Sequence, residues 1–256
     1  MIKVITVNLN GIRSAGKKNF FAWVVAQQAD LICIQEVRAT EKQLNDPAFH
    51  LDGYTVYSSH AQKSGYSGVA IYCKNPPKNI ISGLGWPIAD DEGRYIQLDF
   101  ENFKIANIYI PSGTSGDLRQ SIKYDFLKLY QEILAKQIQE SIPYIICGDF
   151  NIAHRNIDIK NWRTNQKHSG FLPEERAWLD LIFDQIGFID VYRFKNPDKI
   201  EYTWWSNFAN SWNNNVGWRI DYQIASPQLK NKIISTEIYR QEKFSDHAPL
   251  IIEYDI

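Results

Sequence analysis

Several apolar segments of the chain end in a polar side chain that a simple β-strand has no reason to prefer. Asn8 follows VITV, Glu36 follows LICIQ, Tyr109 lies in IANIYIP, and Asp149 and Asn151 follow YIICG. Ligands bind at strand ends and on the adjoining loops in α/β proteins. We therefore expect these side chains to act together at one site.

A carboxylate and an imidazole near the C-terminus add to this set. Asp221 lies inside the apolar segment RIDYQIAS, and Asp246 and His247 directly precede the last apolar segment. A buried aspartate is costly unless it is paired, and a histidine is a natural partner.

An oxygen-rich group of candidate metal ligands follows from these positions: Glu36, Asp149, Asp246, Asn8 and Asn151, with His247 beside them. It suits Mg²⁺ or Mn²⁺ better than Zn²⁺, since thiolates are absent. Such a cation neutralises phosphate oxygens and stabilises the leaving alkoxide, while Asp149 orients or deprotonates water and His247 donates to the phosphate. That division of labour describes phosphodiester hydrolysis.

Taken singly, most of these residues have an ordinary explanation. Glu36 is consistent with a surface carboxylate, Asn8 with a turn that includes Gly11, and Tyr109 with a half-buried strand aromatic. The Asp-His step at 246 and 247 is consistent with a capping pair, because the dipeptide alone has little specificity. The prediction of a site depends on their joint presence.

The segments that must position these residues are short and rich in Val, Ile and Tyr. We predict nine strands: IKVITVN, LICIQE, YTVYSS, GVAIYC, YIQLDF, FKIANIYI, PYIICGDF, RIDYQIAS and PLIIEYDI. Helical spacing is found in the stretch ending at Gln28, from Phe126 to Leu134, and from Trp178 to Ile186 after a start near Pro173. Hairpin-like neighbours favour mixed sheets, so we expect two packed sheets flanked by helices in one domain, residues 1–256.

Composition limits the partners and the compartment. The net charge of −1 gives no whole-molecule attraction to a polyanion, so contact with a nucleic acid needs a local basic face or a bound metal. Three cysteines, two of them inside apolar segments, favour reduced, buried thiols. With no signal-peptide pattern and no long apolar segment, we expect a cytoplasmic protein that does not contact a membrane.

A series of motifs, in order over essentially the whole chain, resembles the exonuclease III family of apurinic/apyrimidinic endonucleases, within the endonuclease/exonuclease/phosphatase superfamily. The motifs are NLNGIRS, ICIQEVR, GYSGVAIY, IYIPSG, CGDFNIAH, FLPEERAW, YTWW, GWRIDYQIAS and FSDHAPL. The Asn, Glu, Asp-x-Asn and Ser-Asp-His elements match the superfamily, whereas GYSG, LPEER and GWRIDY are typical of the DNA-repair branch.

The resemblance implies a four-layer α/β sandwich of the DNase I-like type and a division of roles within the site. Glu36 is similar to the principal metal ligand, with Asn8 and Asp246 near the same ion, and Asp149 to the residue that activates water. Asn151 would hold Asp149 and the phosphate. Tyr109 would approach the scissile phosphate, and His247, oriented by Asp221, would contact it. The implied cofactor is Mg²⁺, with Mn²⁺ as a substitute.

The resemblance also implies contacts to double-stranded DNA carrying abasic sites or 3′ ends. Trp204 and Trp218 resemble the walls of a pocket for a flipped-out abasic sugar, whereas Trp205 should face the core. Arg38, Tyr66 and Arg94 match positions that touch the DNA backbone. The implied activities are 3′-to-5′ exonuclease action, cleavage 5′ to abasic sites and 3′-end cleaning, and we expect a monomer.

Two positions depart from the family pattern. Ser115 replaces an arginine that reaches into the duplex in some members, and Phe208 is a candidate wedge in its place. His168 stands where a small or amide side chain is more usual. We hypothesise that His168 shifts the balance between abasic-site cleavage and removal of nucleotides from 3′ ends; a solvated loop histidine without catalytic effect is the alternative.

Several other functions are compatible with parts of this pattern. A 3′-exonuclease with weak abasic endonuclease activity, or a superfamily phosphatase or phospholipase acting on phosphoesters outside DNA, would keep the metal site. A catalytically silent binding module would be expected to lose Glu36, Asp149 or His247, and all three are present. A metal-independent serine hydrolase is disfavoured because no G-x-S-x-G motif occurs.

Overall fold

Two six-stranded mixed β-sheets lie face to face in the computed structural model, which describes residues 1–256. The strands are β1 Ile2–Asn8, β2 Leu31–Gln35, β3 Thr55–Ser59, β4 Val69–Cys73, β5 Asn79–Ser82, β6 Tyr95–Asp99, β7 Lys104–Tyr109, β8 Tyr144–Asp149, β9 Ile189–Asp190, β10 Trp204–Trp205, β11 Gly217–Trp218, β12 Asp221–Ala225, β13 Ile233–Ile238 and β14 Leu250–Tyr254. All nine predicted strands are present. The sequence did not predict the edge strands β5 and β13 or the two-residue strands β9, β10 and β11.

Each sheet has one parallel strand pair near its centre. Sheet 1 has the order β13-β14-β1-β2-β4-β3, and sheet 2 has the order β5-β6-β7-β8-β12-β9. β1 runs parallel to β2, and β7 runs parallel to β8, while the other pairs are antiparallel. Parallel strands end at the same edge of a sheet. Asn8 therefore lies beside Gln35, and Tyr109 lies beside Asp149, in the strand register.

The chain forms eight α-helices: α1 Ile12–Gly16, α2 Phe20–Gln27, α3 Glu41–Leu44, α4 Pro87–Asp91, α5 Asp117–Gln137, α6 Trp162–Asn165, α7 Pro173–Asp180 and α8 Val191–Lys195. α2 and α5 cover the outer faces of the two sheets, whereas Val191 and Tyr192 of α8 belong to the apolar cluster between the sheets. α7 begins at Pro173, as predicted, but continues as a π-helical segment over Leu181–Ile186. None of the helices combines the length and apolar composition that crossing a bilayer requires.

Three apolar clusters define four layers. Phe20 and Trp23 of α2 pack on sheet 1, and Phe126, Tyr130 and Leu134 of α5 pack on sheet 2. A third cluster fills the space between the sheets and includes Cys33 and Cys147, which are free, buried thiols. The predicted four-layer α/β sandwich, with two mixed sheets flanked by helices, is confirmed.

Three buried amides cross the interface between the two sheets. Gln35 of sheet 1 donates to Asn107 Oδ1 of sheet 2 at 2.6 Å, and Asn107 Nδ2 donates back to the carbonyls of Ile34 and Ala70. Gln223 of sheet 2 donates to two carbonyls of sheet 1, at 3.0 and 3.1 Å. Because each amide has directed partners, these bonds define one relative position of the sheets.

Candidate active site

A pocket of about 700 Å³ lies where the parallel strand pairs of both sheets end. Ten of the residues singled out from the sequence line it: Glu36, Arg38, Tyr109, Asp149, Asn151, His168, Trp204, Trp218, Asp246 and His247. Asn8 and Asp221 are completely buried and contact these residues from below. The strand ends therefore bring together the proposed catalytic and metal-binding side chains, although they come from segments far apart in the chain.

Asn8 connects the carboxylates of the two sheets. Its Nδ2 atom donates to Glu36 Oε1 at 3.1 Å and to Asp149 Oδ2 at 2.9 Å. Its Oδ1 atom accepts the backbone N–H of Asn10 at 2.9 Å. The amide nitrogen, which cannot bind a cation, thus faces the carboxylates. In this geometry Asn8 positions Glu36 and Asp149, a different task from the metal ligation expected from the sequence.

The Glu36 carboxylate is contacted by three neighbouring side chains, those of Asn8, Tyr109 and Arg38. The Tyr109 hydroxyl donates to Glu36 Oε1, and the Arg38 guanidinium forms an ion pair with Oε2. Glu36 has a left-handed backbone, with φ of 49°, which is uncommon for a non-glycine residue and typical of functional sites. Burial, followed by the charges of Glu36 and Asp149, raises the pKa of Tyr109 well above its ordinary value, so the phenol stays protonated.

His247 lies between two aspartates. Its Nδ1 atom is 2.9 Å from Asp221 Oδ2, and its Nε2 atom is 4.0 Å from Asp149 Oδ2. Burial opposes protonation of the ring, but the charge and hydrogen bond of Asp221 outweigh it and raise the pKa of His247 to about 10. Burial, together with the charge of Asp221, raises the pKa of Asp149 to about 7. The predicted pairing of Asp221 with His247 is confirmed.

Asn151 completes the turn after β8. Its backbone N–H donates to Asp149 Oδ1 at 2.8 Å, and its Nδ2 donates to the carbonyl of Ile110 at 2.9 Å. The amide oxygen is therefore the atom that is free to meet a ligand. Like Glu36, Asn151 has a left-handed backbone, with φ of 53°.

Asp246 also lines the pocket and is held by two donors. Asn10 Nδ2 donates to its Oδ1 at 2.9 Å, and the Trp204 indole donates to its Oδ2 at 3.2 Å. Burial opposes ionisation, but the neighbouring His247 and these donors hold the pKa of Asp246 below its ordinary value. The sequence analysis did not predict that Asn10 binds Asp246. Its position in NLNG, two residues after Asn8, could have indicated a place in the site.

The donor chemistry of the pocket fits a hard divalent cation. The ligand atoms of Asp149, Asp221 and His247 all lie within 4.8 Å of one another. However, both oxygens of Asp221 lie within hydrogen-bonding distance of His247 Nδ1, which leaves this trio better suited to proton handling than to metal binding. Asp246, in contrast, is held only by the neutral donors Asn10 and Trp204. Glu36 is held by the neutral donors Asn8 and Tyr109 and by the half-exposed guanidinium of Arg38. Both carboxylates provide the oxygen ligands that Mg²⁺ and Mn²⁺ prefer.

The two tryptophans predicted to form the walls are both half-buried in the pocket. Their rings meet edge to face, with centroids 6.0 Å apart and an interplanar angle of 86°. Trp205 is completely buried, as predicted. Trp218 is followed by Arg219, whose guanidinium is buried and paired with Asp158 and Asp190 at 2.7 Å each. This ionic cluster anchors the strand that carries the second wall.

The predicted DNA contacts differ in accessibility. Phe208 lies outside the pocket and is 82% exposed, as a wedge would have to be. Tyr66 is half-buried, and its hydroxyl accepts from Arg94 and Arg119 at 3.3 and 3.2 Å, which leaves its own O–H proton free to donate.

The expectation that Arg94 touches the DNA backbone is wrong. This side chain is only 2% exposed and is bound to Glu92 at 2.6 Å and to the carbonyl of Tyr109 at 2.8 Å. Its guanidinium also lies over the Tyr109 ring, 4.6 Å from the centroid. Burial and three partners exclude a phosphate contact, so Arg94 supports Tyr109 from below.

Comparison with known proteins identifies the family of the chain. The family model described as the endonuclease/exonuclease/phosphatase family matches residues 5–247. An exodeoxyribonuclease from Bacillus subtilis is 37% identical over 97% of the chain and 98% of its own length. A DNA repair nuclease from Danio rerio is 34% identical over 98% of the chain and 81% of its own length. The solved structure of an AP endonuclease from Archaeoglobus fulgidus is similar over the whole of both chains, with a TM-score of 0.91 and 27% identity.

Proposed function

The chain belongs to the endonuclease/exonuclease/phosphatase family, and on that basis we propose that it is a DNA repair nuclease that hydrolyses phosphodiester bonds. The relatives that match nearly its whole length are named as an exodeoxyribonuclease and a DNA repair nuclease. The resemblance to the exonuclease III branch is therefore confirmed. We treat residues 1–256 as one catalytic domain that acts as a monomer on double-stranded DNA with abasic sites or 3′ ends.

The single observation that carries the proposal is the connected set of side chains at the pocket floor. Asn8 bridges Glu36 and Asp149, Tyr109 donates to Glu36, and His247 stands between Asp149 and Asp221. A candidate acid, His247, a candidate base, Asp149, and the candidate metal ligand Glu36 thus face one pocket. Its volume of about 700 Å³ is large enough for a sugar and its phosphate.

Each residue has a role that follows from its contacts. Glu36 and Asp246 would hold Mg²⁺, which supplies charge neutralisation for the phosphate and the leaving oxygen when it is bound. Asp149 accepts a proton from, or orients, the attacking water, because its oxygens are fixed by Asn8 and by the amide of Asn151. His247 presents Nε2 to the phosphate, since Nδ1 is occupied by Asp221.

The aromatic walls favour a substrate that leaves the DNA stack. A base-free sugar costs little to flip out of the duplex, and the edge-to-face pair of Trp204 and Trp218 offers apolar walls to a sugar without a base. Tyr66, whose O–H proton is free, and the half-exposed Arg38 are the donors we assign to backbone phosphates.

One experiment tests the activity directly. The purified protein is incubated with Mg²⁺ and an end-labelled duplex that contains one internal abasic site. A single shorter product ending 5′ to the abasic site is expected, accompanied by a ladder of 3′-shortened fragments. Absence of both products at micromolar protein, on the abasic and on the matching intact duplex, would refute the proposal.

A second candidate is a 3′-exonuclease with weak abasic endonuclease activity, and one observation favours it. His168 is exposed and lines the pocket, which favours a role for its ring in limiting the access of a continuous duplex. Replacing His168 with Gly should raise abasic cleavage relative to 3′ degradation. Gln166→Gly, in the same loop but outside the pocket, is the control. An unchanged ratio in the His168 variant would leave its side chain without a role in specificity.

A further inference from the structure

An ion pair between Lys123 and Glu175 is completely buried beside the pocket. Both side chains are 0% exposed, and Lys123 Nζ lies 2.5 Å from Glu175 Oε1. Lys123 belongs to α5 and Glu175 to the first turn of α7, so the pair joins two helices of the outer layer. The desolvation of two buried charges offsets much of their attraction, so net stability is a poor explanation for the pair.

Lys123 makes a second bond that leads directly to the site. Its Nζ donates to the main-chain carbonyl of Asn151 at 2.8 Å. Gly170 also lies against this carbonyl, since an added Cβ would be 3.1 Å from the same oxygen. The carbonyl therefore accepts from a buried ammonium and is closely packed by a glycine backbone.

The conformation of Asn151 determines one hydrogen bond to Asp149. Asn151 has φ of 53°, a left-handed conformation that costs energy for most non-glycine residues. In this conformation its N–H points back to Asp149 Oδ1, at 2.8 Å. The bond from Lys123 to the carbonyl restrains the same residue at its other end and so opposes its relaxation to an ordinary backbone conformation.

Glu175 fixes the ammonium and the pocket wall in one arrangement. Its Oε2 accepts the backbone N–H groups of Gly170, at 2.6 Å, and of Leu172, at 3.0 Å. Gly170 and Leu172 both line the pocket. A single carboxylate thus connects Lys123 to the loop that faces the substrate.

We infer that Lys123 is a positioning residue for the phosphodiester hydrolysis proposed above, acting through the Asn151 carbonyl to hold the Asn151 amide on Asp149. Lys123 itself touches neither substrate nor metal. The inference rests on the proposed function for its effect on rate, but the link between Lys123 and Asn151 stands on geometry alone.

Stability and rate should separate when a single and a double variant are compared. Glu175→Gln leaves Lys123 charged, and its amide nitrogen cannot replace the second acceptor oxygen that Glu175 uses for Lys123 and for the Gly170 and Leu172 N–H groups, so both Tm and kcat should fall. The double variant Lys123→Met with Glu175→Gln leaves no unpaired buried charge, so Tm should recover. Its kcat should nevertheless fall by about 10- to 100-fold with little change in KM, because the Asn151 carbonyl has lost its donor.

A purely structural ion pair predicts the opposite pattern, in which kcat follows Tm. Recovery of kcat together with Tm in the double variant would overturn the inference. Leu134→Ala, on the same helix but packed in the apolar core, is the matched control: it should lower Tm and leave kcat unchanged.

A measurement without substrate distinguishes failure of this inference from failure of the proposed function. The backbone amide resonance of Asn151 reports its hydrogen bond to the Asp149 carboxylate, and it should shift in the double variant but not in Leu134→Ala. An unchanged Asn151 resonance would overturn the inference even in an active enzyme. If the wild type cuts no DNA, the proposed function fails, and the resonance still tests the link.

Discussion

His247 Nδ1 lies 2.9 Å from one carboxylate oxygen of Asp221 and 3.1 Å from the other. An ionised carboxylate can only accept hydrogen bonds, so Nδ1 carries a proton and the ring is held with Nε2 on the side of Asp149. The orientation of the imidazole is therefore set by a residue that does not itself line the pocket.

Replacement of Asp221 with Asn should lower kcat on an abasic duplex by about 100-fold or more, because an amide no longer fixes the ring and its proton. The negative charge of Asp221 favours the imidazolium, so its loss should also lower the pKa of His247 from its value of about 10. Steady-state kinetics and a histidine-resolved NMR titration measure the two effects. Asp255→Asn, at an exposed site, is the control; equal kinetics in both variants would remove Asp221 from the mechanism.

Replacement of Asp149 with Asn should lower the cleavage rate by several orders of magnitude while DNA binding is retained, as expected for a group that acts mainly in the transition state. Single-turnover cleavage and fluorescence anisotropy with labelled duplex provide the comparison. Asp184→Asn, which removes the same charge at an exposed site away from the pocket, should match the wild type. A parallel loss of binding in the Asp149 variant would instead make this residue structural.

Removal of divalent metal should abolish cleavage. The carboxylates of the pocket would otherwise face the phosphate without a neutralising charge. Dialysis against a chelator followed by addition of Mg²⁺ or Mn²⁺ should eliminate and then restore activity, while Tm without DNA reports that the fold survives. Full activity in excess chelator would contradict the assignment of Glu36 and Asp246 as metal ligands.

Acid stability should depend on Asp158. Burial opposes its ionisation, but the guanidinium groups of Arg219 and Arg193 outweigh it and hold the pKa of Asp158 well below its usual range. A carboxyl group with a depressed pKa in the folded state stabilises the fold above its unfolded pKa of about 3.9 and loses this contribution as pH falls toward the folded pKa.

The Asp158→Asn variant should therefore lose about 3–5 kcal/mol near pH 7, because two buried guanidiniums lose the carboxylate they share and only Arg219 keeps another, that of Asp190. Its free energy of unfolding should also fall less steeply than that of the wild type between about pH 4 and pH 2. Urea unfolding at several pH values measures both. Asp52→Asn, at an exposed site, should keep the wild-type slope, and an equal slope in the Asp158 variant would contradict the prediction.

The positions of the site residues could be predicted because strand ends are local features. Asn8, Glu36, Tyr109 and Asp149 each interrupt an apolar pattern, and parallel pairing of their strands brings them to one edge. The direction of a side chain could not be predicted in this way. Only the fold shows that Asn8 turns its nitrogen toward two carboxylates.

The errors have physical reasons. Arg94 was expected to touch the DNA backbone because it matches a family position that does, but Glu92 and Tyr109 supply the partners that bury it. The edge strands β5 and β13 were missed because many of their side chains are exposed, which weakens the apolar alternation on which strand prediction depends. The bond from Lys123 to Asn151 joins residues 28 positions apart, and sequence spacing alone cannot encode it.

The amides of Gln35, Asn107 and Gln223 have a consequence for protein engineering. Asn8 and the adjoining Glu36 come from sheet 1, while Tyr109 and Asp149 come from sheet 2. These side chains therefore meet in the pocket only when the two sheets pack in one relative position. A thermostabilised redesign that replaced these amides with aliphatic side chains would keep a well-filled interior but lose the directed bonds that specify this position. Such a variant would be more thermostable but less active, because a shift of about one ångström between the sheets would separate the catalytic residues of sheet 1 from those of sheet 2.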